Sequence, residues 1–356
     1  MSAIAVFLYC RPGFEGECAA EIVDQARAVG IAGYCKAKPA SGYVLFYPAD
    51  ELTAAQWFAK FRLCDLIFAR QWFWVVGWRD DLPLTDRATP LAQGVAEAGL
   101  AVVDEVFLET PDSDEHKVLS PLCQGLRVPL GQRLQRLGVL QTASPWRLHI
   151  CFLASHAAYI GISPTANSAP WLGGVPRLRS PSEAPSRSTL KLEEAFLTLL
   201  TADERERWLQ PGMAAVDLGA SPGGWTYQLV RRHVRVTAID NGALAPSLMD
   251  SGLVEHLRVD GFSYRPPRPV QWLVCDMVEQ PIRTAELAAR WVAQAWCLCA
   301  VVNLKLPMKK RYSEVQRCME RMHEITAAEG RVVELRAKQL YHDRDEITVC
   351  VVPVGG

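Results

Sequence analysis

From residue 214 onward the chain repeats one pattern: a short apolar run closed by a charged residue, then a stretch with helical spacing. The runs cover 214–218, 234–239, 254–259, 270–275 and 300–304. They close on Asp217-Leu218-Gly219, Asp240, Asp260, Asp276 and Lys305. Helical spacing occupies 190–200, 282–295 and 312–328. Strands separated by helices pair in parallel, because a crossover returns the chain in the same direction. Residues 188–356 are therefore expected to form a doubly wound, Rossmann-like α/β sheet. The last two runs, 332–337 and 347–352, lie too close for a crossover, so the final strand must run antiparallel. Its start, Asp345-Glu346, then falls on the edge where the parallel strands end.

Ligands of open parallel sheets bind beyond the carboxyl ends of the strands. One acid closing a strand is often only a helix cap. Capping is a poor account of acids from four strands together with a lysine inside Asn303-Leu304-Lys305-Leu306-Pro307. The turn after the first run contains Gly219, Gly223 and Gly224. These supply backbone angles and close approach beside free N–H groups at a helix start. Alone, this turn marks only a nucleotide-like ligand. Asp240 lies about 20 residues beyond it, the spacing that suits ribose hydroxyls. Asp260 is placed to accept from an adenine amine, and Asp276 sits at the switch point where cofactor and substrate meet.

The first 80 residues read differently. Runs at 4–9, 34–37, 43–47 and 66–76 interleave with helical spacing at 15–29 and 52–61. The order βαββαβ is the ferredoxin-like pattern. Trp72, Phe73 and Trp74 are expected as core rather than as base-stacking platforms. Residues 86–160 form another α/β unit, with a helix at 90–98, a strand at 101–108, helical segments around Pro121 and Pro129, and paired strands at 148–154 and 157–162. Residues 166–187 are rich in proline, serine and glycine and read as an extended, unpacked connection. Arg177, Arg179 and Arg187 in it could contact phosphates.

The net charge is -1, so binding to a polyanion needs a local patch. Lys305, Lys309, Lys310, Arg311 and Arg317 face only Glu314 in residues 301–317. The 11 cysteines and seven histidines are scattered without ligand spacing, so no metal site is expected. Unpaired cysteines suit a reducing cytoplasm, and the apolar run 3–10 is too short for a signal peptide or membrane span.

The stretch from Asp217 to Trp225 resembles the S-adenosyl-L-methionine loop of the FtsJ-like ribose 2'-O-methyltransferases, whose mark is a Lys-Asp-Lys-Glu tetrad. Lys191, Asp276, Lys305 and Glu346 fill those positions in order. Cys10-Arg11-Pro12-Gly13-Phe14-Glu15, Phe68-Ala69-Arg70-Gln71-Trp72-Phe73 and residues 184–194 are similar to the RlmM group, which methylates the 2'-hydroxyl of a cytidine in 23S ribosomal RNA. This resemblance covers essentially the whole chain. It implies a ferredoxin-like subdomain at 1–80, a THUMP RNA-binding subdomain at 81–165, a linker at 166–187 and the methyltransferase domain at 188–356. It implies that S-adenosyl-L-methionine is held by Ser188, Asp217, Gly219, Ser221, Pro222, Gly223, Gly224, Trp225, Asp240, Asp260 and Asp276. Ser221 stands where some relatives have cysteine, and its backbone N–H is expected to do the binding. Lys309, Lys310, Arg311 and Arg187 are the expected contacts to 23S ribosomal RNA, free or in early assembly. No membrane or DNA partner is expected, and the enzyme is expected to be a cytoplasmic monomer.

The chemistry agrees with that implication. A ribose hydroxyl is a very weak acid, so its attack on a methyl sulfonium needs a base. A lysine serves only when neutral; burial and a second ammonium lower its pKa, and carboxylates raise it. Lys305 is the candidate base, Lys191 its cationic neighbour, and Asp276 and Glu346 orient the two. Ser188 is expected to cap the Lys191 helix and to touch the methionine part of the cofactor. Three rivals remain. A base methyltransferase would carry Asn/Asp-Pro-Pro-aromatic where this chain reads Asp276-Met277-Val278-Glu279. A dehydrogenase has no use for the paired lysines, and a silent RNA-binding module none for a complete tetrad.

Overall fold

The computed structural model describes residues 5–100 and 102–354. Ile4 and Ala101, each at the start of an expected strand, lie outside them. The chain divides into two units, Met1–Pro176 and Arg177–Gly356.

In the first unit the strands are β1 (Ala5–Tyr9), β2 (Gly33–Ala37), β3 (Tyr43–Pro48), β4 (Gln71–Arg79), β5 (Glu105–Glu109), β6 (Trp146–Ala154) and β7 (Ala157–Pro164). They form one sheet in the order β2-β3-β1-β4-β7-β6-β5. β1 lies antiparallel between β3 and β4, as the ferredoxin-like pattern requires. Residues 86–160 add their strands to this same sheet. The joint is β4, nine residues long, or roughly 30 Å. Gln71–Val75 pairs with β1, and Trp74–Arg79 pairs with β7, with a register shift between Val75 and Gly77. β4 starts later than the run 66–76 suggests. The Glu21 carboxylate accepts from the N–H groups of Ile67 (2.6 Å) and Phe68 (2.9 Å), holding that stretch out of the ladder. Trp72, Phe73 and Trp74 are buried, as expected of core. The segments around Pro121 and Pro129 are one helix, Ser120–Arg136.

The proline-rich stretch is not unpacked up to Pro176. Trp72 Nε1 donates to the Asn167 carbonyl at 2.7 Å, and Gln71 Nε2 donates to the Ala169 carbonyl at 2.8 Å. Leu63 N–H donates to Asn167 Oδ1 at 2.8 Å, and Gly173 N–H to Glu109 Oε2 at 2.7 Å. Gln71, Trp72 and Glu109, from distant strands, thus supply partners that this backbone cannot find in itself.

The second unit holds β8 (Ala214–Leu218), β9 (Arg235–Ile239), β10 (Val254–Leu257), β11 (Val270–Cys275), β12 (Cys297–Lys305), β13 (Val333–Lys338) and β14 (Glu346–Pro353), in the order β10-β9-β8-β11-β12-β14-β13. β8 to β12 pair in parallel, and β14 is antiparallel to both neighbours. This is the doubly wound sheet expected from the alternating pattern. One face carries a core of Leu192, Phe196, Trp208, Trp225, Leu229, Trp272 and Val301. On helix Pro281–Ala293, Leu287 and Trp291 are buried, and on Arg311–Ala328 Val315, Cys318 and Met322 are. The first of these ends at Ala293, short of the expected 295, because Ala295 turns left-handed at φ 56°.

Candidate active site

The glycine turn follows β8 directly. Gly219 has φ 79°, and a Cβ there would stand 2.6 Å from Met277 Cγ. Gly223 has φ 114°, a conformation side chains resist. Gly224 is different: its angle is ordinary, but a Cβ would collide with the hydroxyls of Ser186 and Ser188. Behind the turn, Asp217 is buried and accepts from Thr226 Oγ1 at 2.6 Å through Oδ2. Its Oδ1 is buried without a hydrogen-bond partner. Burial, opposed by the Thr226 hydrogen bond and supported by Asp276 and Asp240, pushes the Asp217 carboxyl up to about 7. An orphaned acceptor beside a glycine cradle fits a ligand that brings its own donor.

Asp217 has a thermodynamic consequence. Its folded pKa lies above the unfolded one, so the folded state binds the extra proton. The stability it contributes is complete below the unfolded carboxylate range and is lost as pH rises through about 7. Without ligand, unfolding free energy should fall by on the order of 3 kcal/mol relative to Asp217→Asn between about pH 5 and pH 8. Urea unfolding of both proteins across that window checks this; parallel pH dependences would refute it.

On the same rim two lysines and two carboxylates form a closed ring. Lys191, in the first turn of helix Thr189–Leu199, pairs with Asp276 Oδ2 at 3.3 Å and with Glu346 Oε1. Lys305 pairs with Asp276 Oδ1 and Glu346 Oε2. Asp276 follows β11, Lys305 ends β12, and Glu346 begins β14, directly opposite Lys305 in the antiparallel register. The four side chains are 7 to 22 % exposed, so water reaches the ring only in part. Burial pulls the Lys305 ammonium down, but Asp276 and Glu346 together outweigh it, and its pKa is raised. At rest Lys305 is therefore charged.

A second layer holds the ring. Asn303 Nδ2 donates to Asp276 Oδ1 at 3.0 Å, and Thr348 Oγ1 donates to Asn303 Oδ1 at 2.6 Å. Thr348 has one proton to give. The same hydroxyl faces the Asp343 carboxyl, whose nearer oxygen lies at 3.1 Å. Burial pushes the Asp343 carboxyl well above the usual range. Glu194, buried one turn along the helix from Lys191, accepts from Tyr341 N–H (2.8 Å), His342 N–H (2.9 Å) and His342 Nδ1 (2.6 Å). It fixes the β13–β14 connection to the lysine helix. None of these residues was singled out from the sequence. The signal was there: side chains two apart share a strand face, which pairs Asn303 with Lys305 and Thr348 with Glu346.

Comparison with known proteins decides the family. Three family models match: RlmM ferredoxin-like domain over residues 1–73, Ribosomal RNA large subunit methyltransferase M, N-terminal, over 86–164, and FtsJ-like methyltransferase over 184–311. Ribosomal RNA large subunit methyltransferase M of Methylococcus capsulatus is 52% identical over 348 residues, covering 98% of this chain and 97% of its own. The protein of the same description from Cellvibrio japonicus is 48% identical over 96% of this chain and 97% of its own. The chain belongs to the ribosomal RNA large subunit methyltransferase M family. Among solved structures, TrmN from Thermus thermophilus covers 99% of this chain at 14% identity, with a TM-score of 0.38.

The other residues expected to serve this family member's site divide into three groups. Some reach the rim but are already engaged. Asp240 accepts from Ser221 N–H at 3.0 Å and Gly242 N–H at 2.7 Å. The Ser221 N–H is thus occupied by Asp240, a correction to its expected role as a free donor. The Pro222 carbonyl accepts from Ala245 N–H at 3.0 Å. Asp260 lies beyond β10, which ends at Leu257, and is exposed. It accepts from Ser263 Oγ (2.6 Å) and Phe262 N–H (3.2 Å), and the Ser263 bond leads in lowering its pKa. Its carboxylate thus closes its own turn.

Other expected residues point elsewhere. The Trp225 side chain is buried in the sheet core, so only its backbone can face a ligand. Ser188 precedes the Lys191 helix in a helical conformation and makes no side-chain cap; its hydroxyl lies 2.7 Å from that of Ser186. Arg311 turns back to Asp345 at 3.3 Å and to the Pro307 carbonyl at 3.3 Å. It clamps the loop after β12 to the start of β14, so the local positive charge is smaller than residues 301–317 alone suggest. Lys309, Lys310 and Arg187 remain exposed. Among the described residues no cluster of His, Cys, Asp or Glu could hold a metal, and no helix is long and apolar enough to cross a membrane.

Proposed function

We propose that this chain transfers the methyl group of S-adenosyl-L-methionine to the ribose 2'-hydroxyl of a cytidine in 23S ribosomal RNA. The observation that carries this reading is the closed ring of Lys191, Asp276, Lys305 and Glu346 on one rim with the glycine turn. The cofactor supplies an electrophilic methyl on a sulfonium, whose positive charge adds to that of Lys191. Gly219, Gly223, Gly224 and the orphaned Asp217 Oδ1 form its cradle, and Asp240 takes the ribose. Lys305 takes the 2'-hydroxyl proton. Its pull from Asp276 and Glu346 must first be offset, since only a neutral amine accepts a proton. Lys191 holds the developing alkoxide by charge, and Asp276 and Glu346 keep both amines in place for in-line attack. Lys309, Lys310 and Arg187 contact RNA phosphates. The sheet built from β1 to β7, with the ferredoxin-like region 1–80 and the THUMP region 81–165, holds the RNA. The protein works in the cytoplasm as a monomer.

Methyl transfer to large-subunit ribosomal RNA lacking the modification tests this, with the product nucleoside identified by mass spectrometry. The expected product is 2'-O-methylcytidine, resistant to alkaline cleavage at its 3' side. A methylated base, or transfer to a ribose other than cytidine's, would overturn the assignment.

A further inference from the structure

The two most exposed large apolar side chains among the described residues are Val278, at 92 %, and Met308, at 93 %. The next, Val118, is 74 % exposed. Isolated surface apolars are ordinary; these two stand on one rim. Val278 lies two residues past Asp276, and Met308 three past Lys305, on loops that leave the adjacent parallel strands β11 and β12. At no more than ~3.6 Å per residue, their Cα atoms lie within about 7 and 11 Å of those of two ring members.

The loops do not lack a place to hide such side chains. Met277 is tucked against Gly219 and Gly261, and Leu306 is buried. In each loop one apolar residue packs inward while Val278 or Met308 is left in water. The residues that follow Met308 are Lys309 and Lys310, both exposed, so an apolar group stands beside two cations there. A nucleotide presents that same pair of surfaces: a flat base beside a phosphate. We infer that Val278 and Met308 receive the bases of the reacting nucleotide and its neighbour, held unpaired, while Lys309 and Lys310 meet the adjoining phosphates. The inference rests on the ribose-methylating reading above and adds to it that the substrate segment is single-stranded at the site, with its bases turned out against apolar side chains.

The test uses the full chain with saturating S-adenosyl-L-methionine and a large-subunit RNA fragment that wild type methylates. Val278→Ser and Met308→Ser should each raise the KM for RNA roughly 3- to 10-fold, since full base stacking on aromatic side chains is stronger than contact with aliphatic ones. The kcat, cofactor affinity and melting temperature should stay at wild-type values, and Met308→Leu should restore KM. A fragment abasic at the reacting nucleotide or at its neighbour should erase the difference between wild type and variant. Unchanged KM in both serine variants, or a difference that survives both abasic substitutions, would overturn the inference. So would loss of a dimer in the variants by sedimentation, which would assign the patch to a second copy of the chain. If wild type itself leaves ribose unmethylated, the functional reading fails before this comparison begins.

Discussion

Lys305→Ala is expected to lower kcat by about 10³-fold or more, with S-adenosyl-L-methionine affinity within a few-fold of wild type. On the proposed mechanism the variant loses its proton acceptor, and it leaves Asp276 and Glu346 without one of their two cations. Single-turnover transfer and a cofactor titration on the same preparation separate the two effects. Lys305→Arg makes the argument sharper. Arginine keeps the charge but does not deprotonate in proteins. If Lys305 acts as a base, the arginine variant is as dead as the alanine variant; substantial activity would show instead that only a positive charge is needed. The pH profile gives a further check. The carboxylates raise the Lys305 pKa, so the neutral fraction is small at neutral pH. The rate of the chemical step should then climb with pH, up to tenfold per unit, until the lysine titrates. A flat profile through the alkaline range would remove Lys305 as the base.

Glu194→Ala should show the second large effect. Two backbone N–H groups and the His342 ring, all half-buried, lose the buried Glu194 carboxylate. Losing these three bonds costs about 3 kcal/mol in all. Glu194 also joins the helix of Lys191 to the connection that leads into Glu346, so the ring should slacken, and kcat should fall by roughly 10²-fold. Glu194→Gln keeps an acceptor oxygen and should fall between the two. Urea unfolding together with methyl transfer below the melting temperature checks both parts. Full activity in a destabilised Glu194→Ala would show that the ring is held by other means.

The ring itself was legible in the sequence for a physical reason. Alternating strands and helices dictate parallel pairing, and the short final connection dictates an antiparallel last strand. Those two statements place Glu346 on the rim with Asp276 and Lys305, and the register sets it opposite Lys305. What escaped depends on partners far away in the chain. Arg311 looks like a free cation until Asp345 is brought to it by the β13–β14 hairpin. Trp225 looks like part of the loop until its helix is rotated onto the sheet. The stretch after β7 looks unpacked because Gln71, Trp72 and Glu109, which hold it, lie 64 to 98 residues earlier. Ser188 has the residue type of a cap, but Ser186 offers its hydroxyl a nearer partner.

β4 belongs to two ladders at once, pairing β1 near its start and β7 near its end. The family models stop at residue 73 and resume at 86, so a boundary drawn between them falls within or beside this strand. Cutting there would bare a long hydrogen-bonding edge on each half, and bare edges invite pairing with other chains. The two subdomains are thus not beads on a string. They share a spine, and this unit should lose its order as a whole, its ferredoxin-like end no more separable than two pages printed on one sheet.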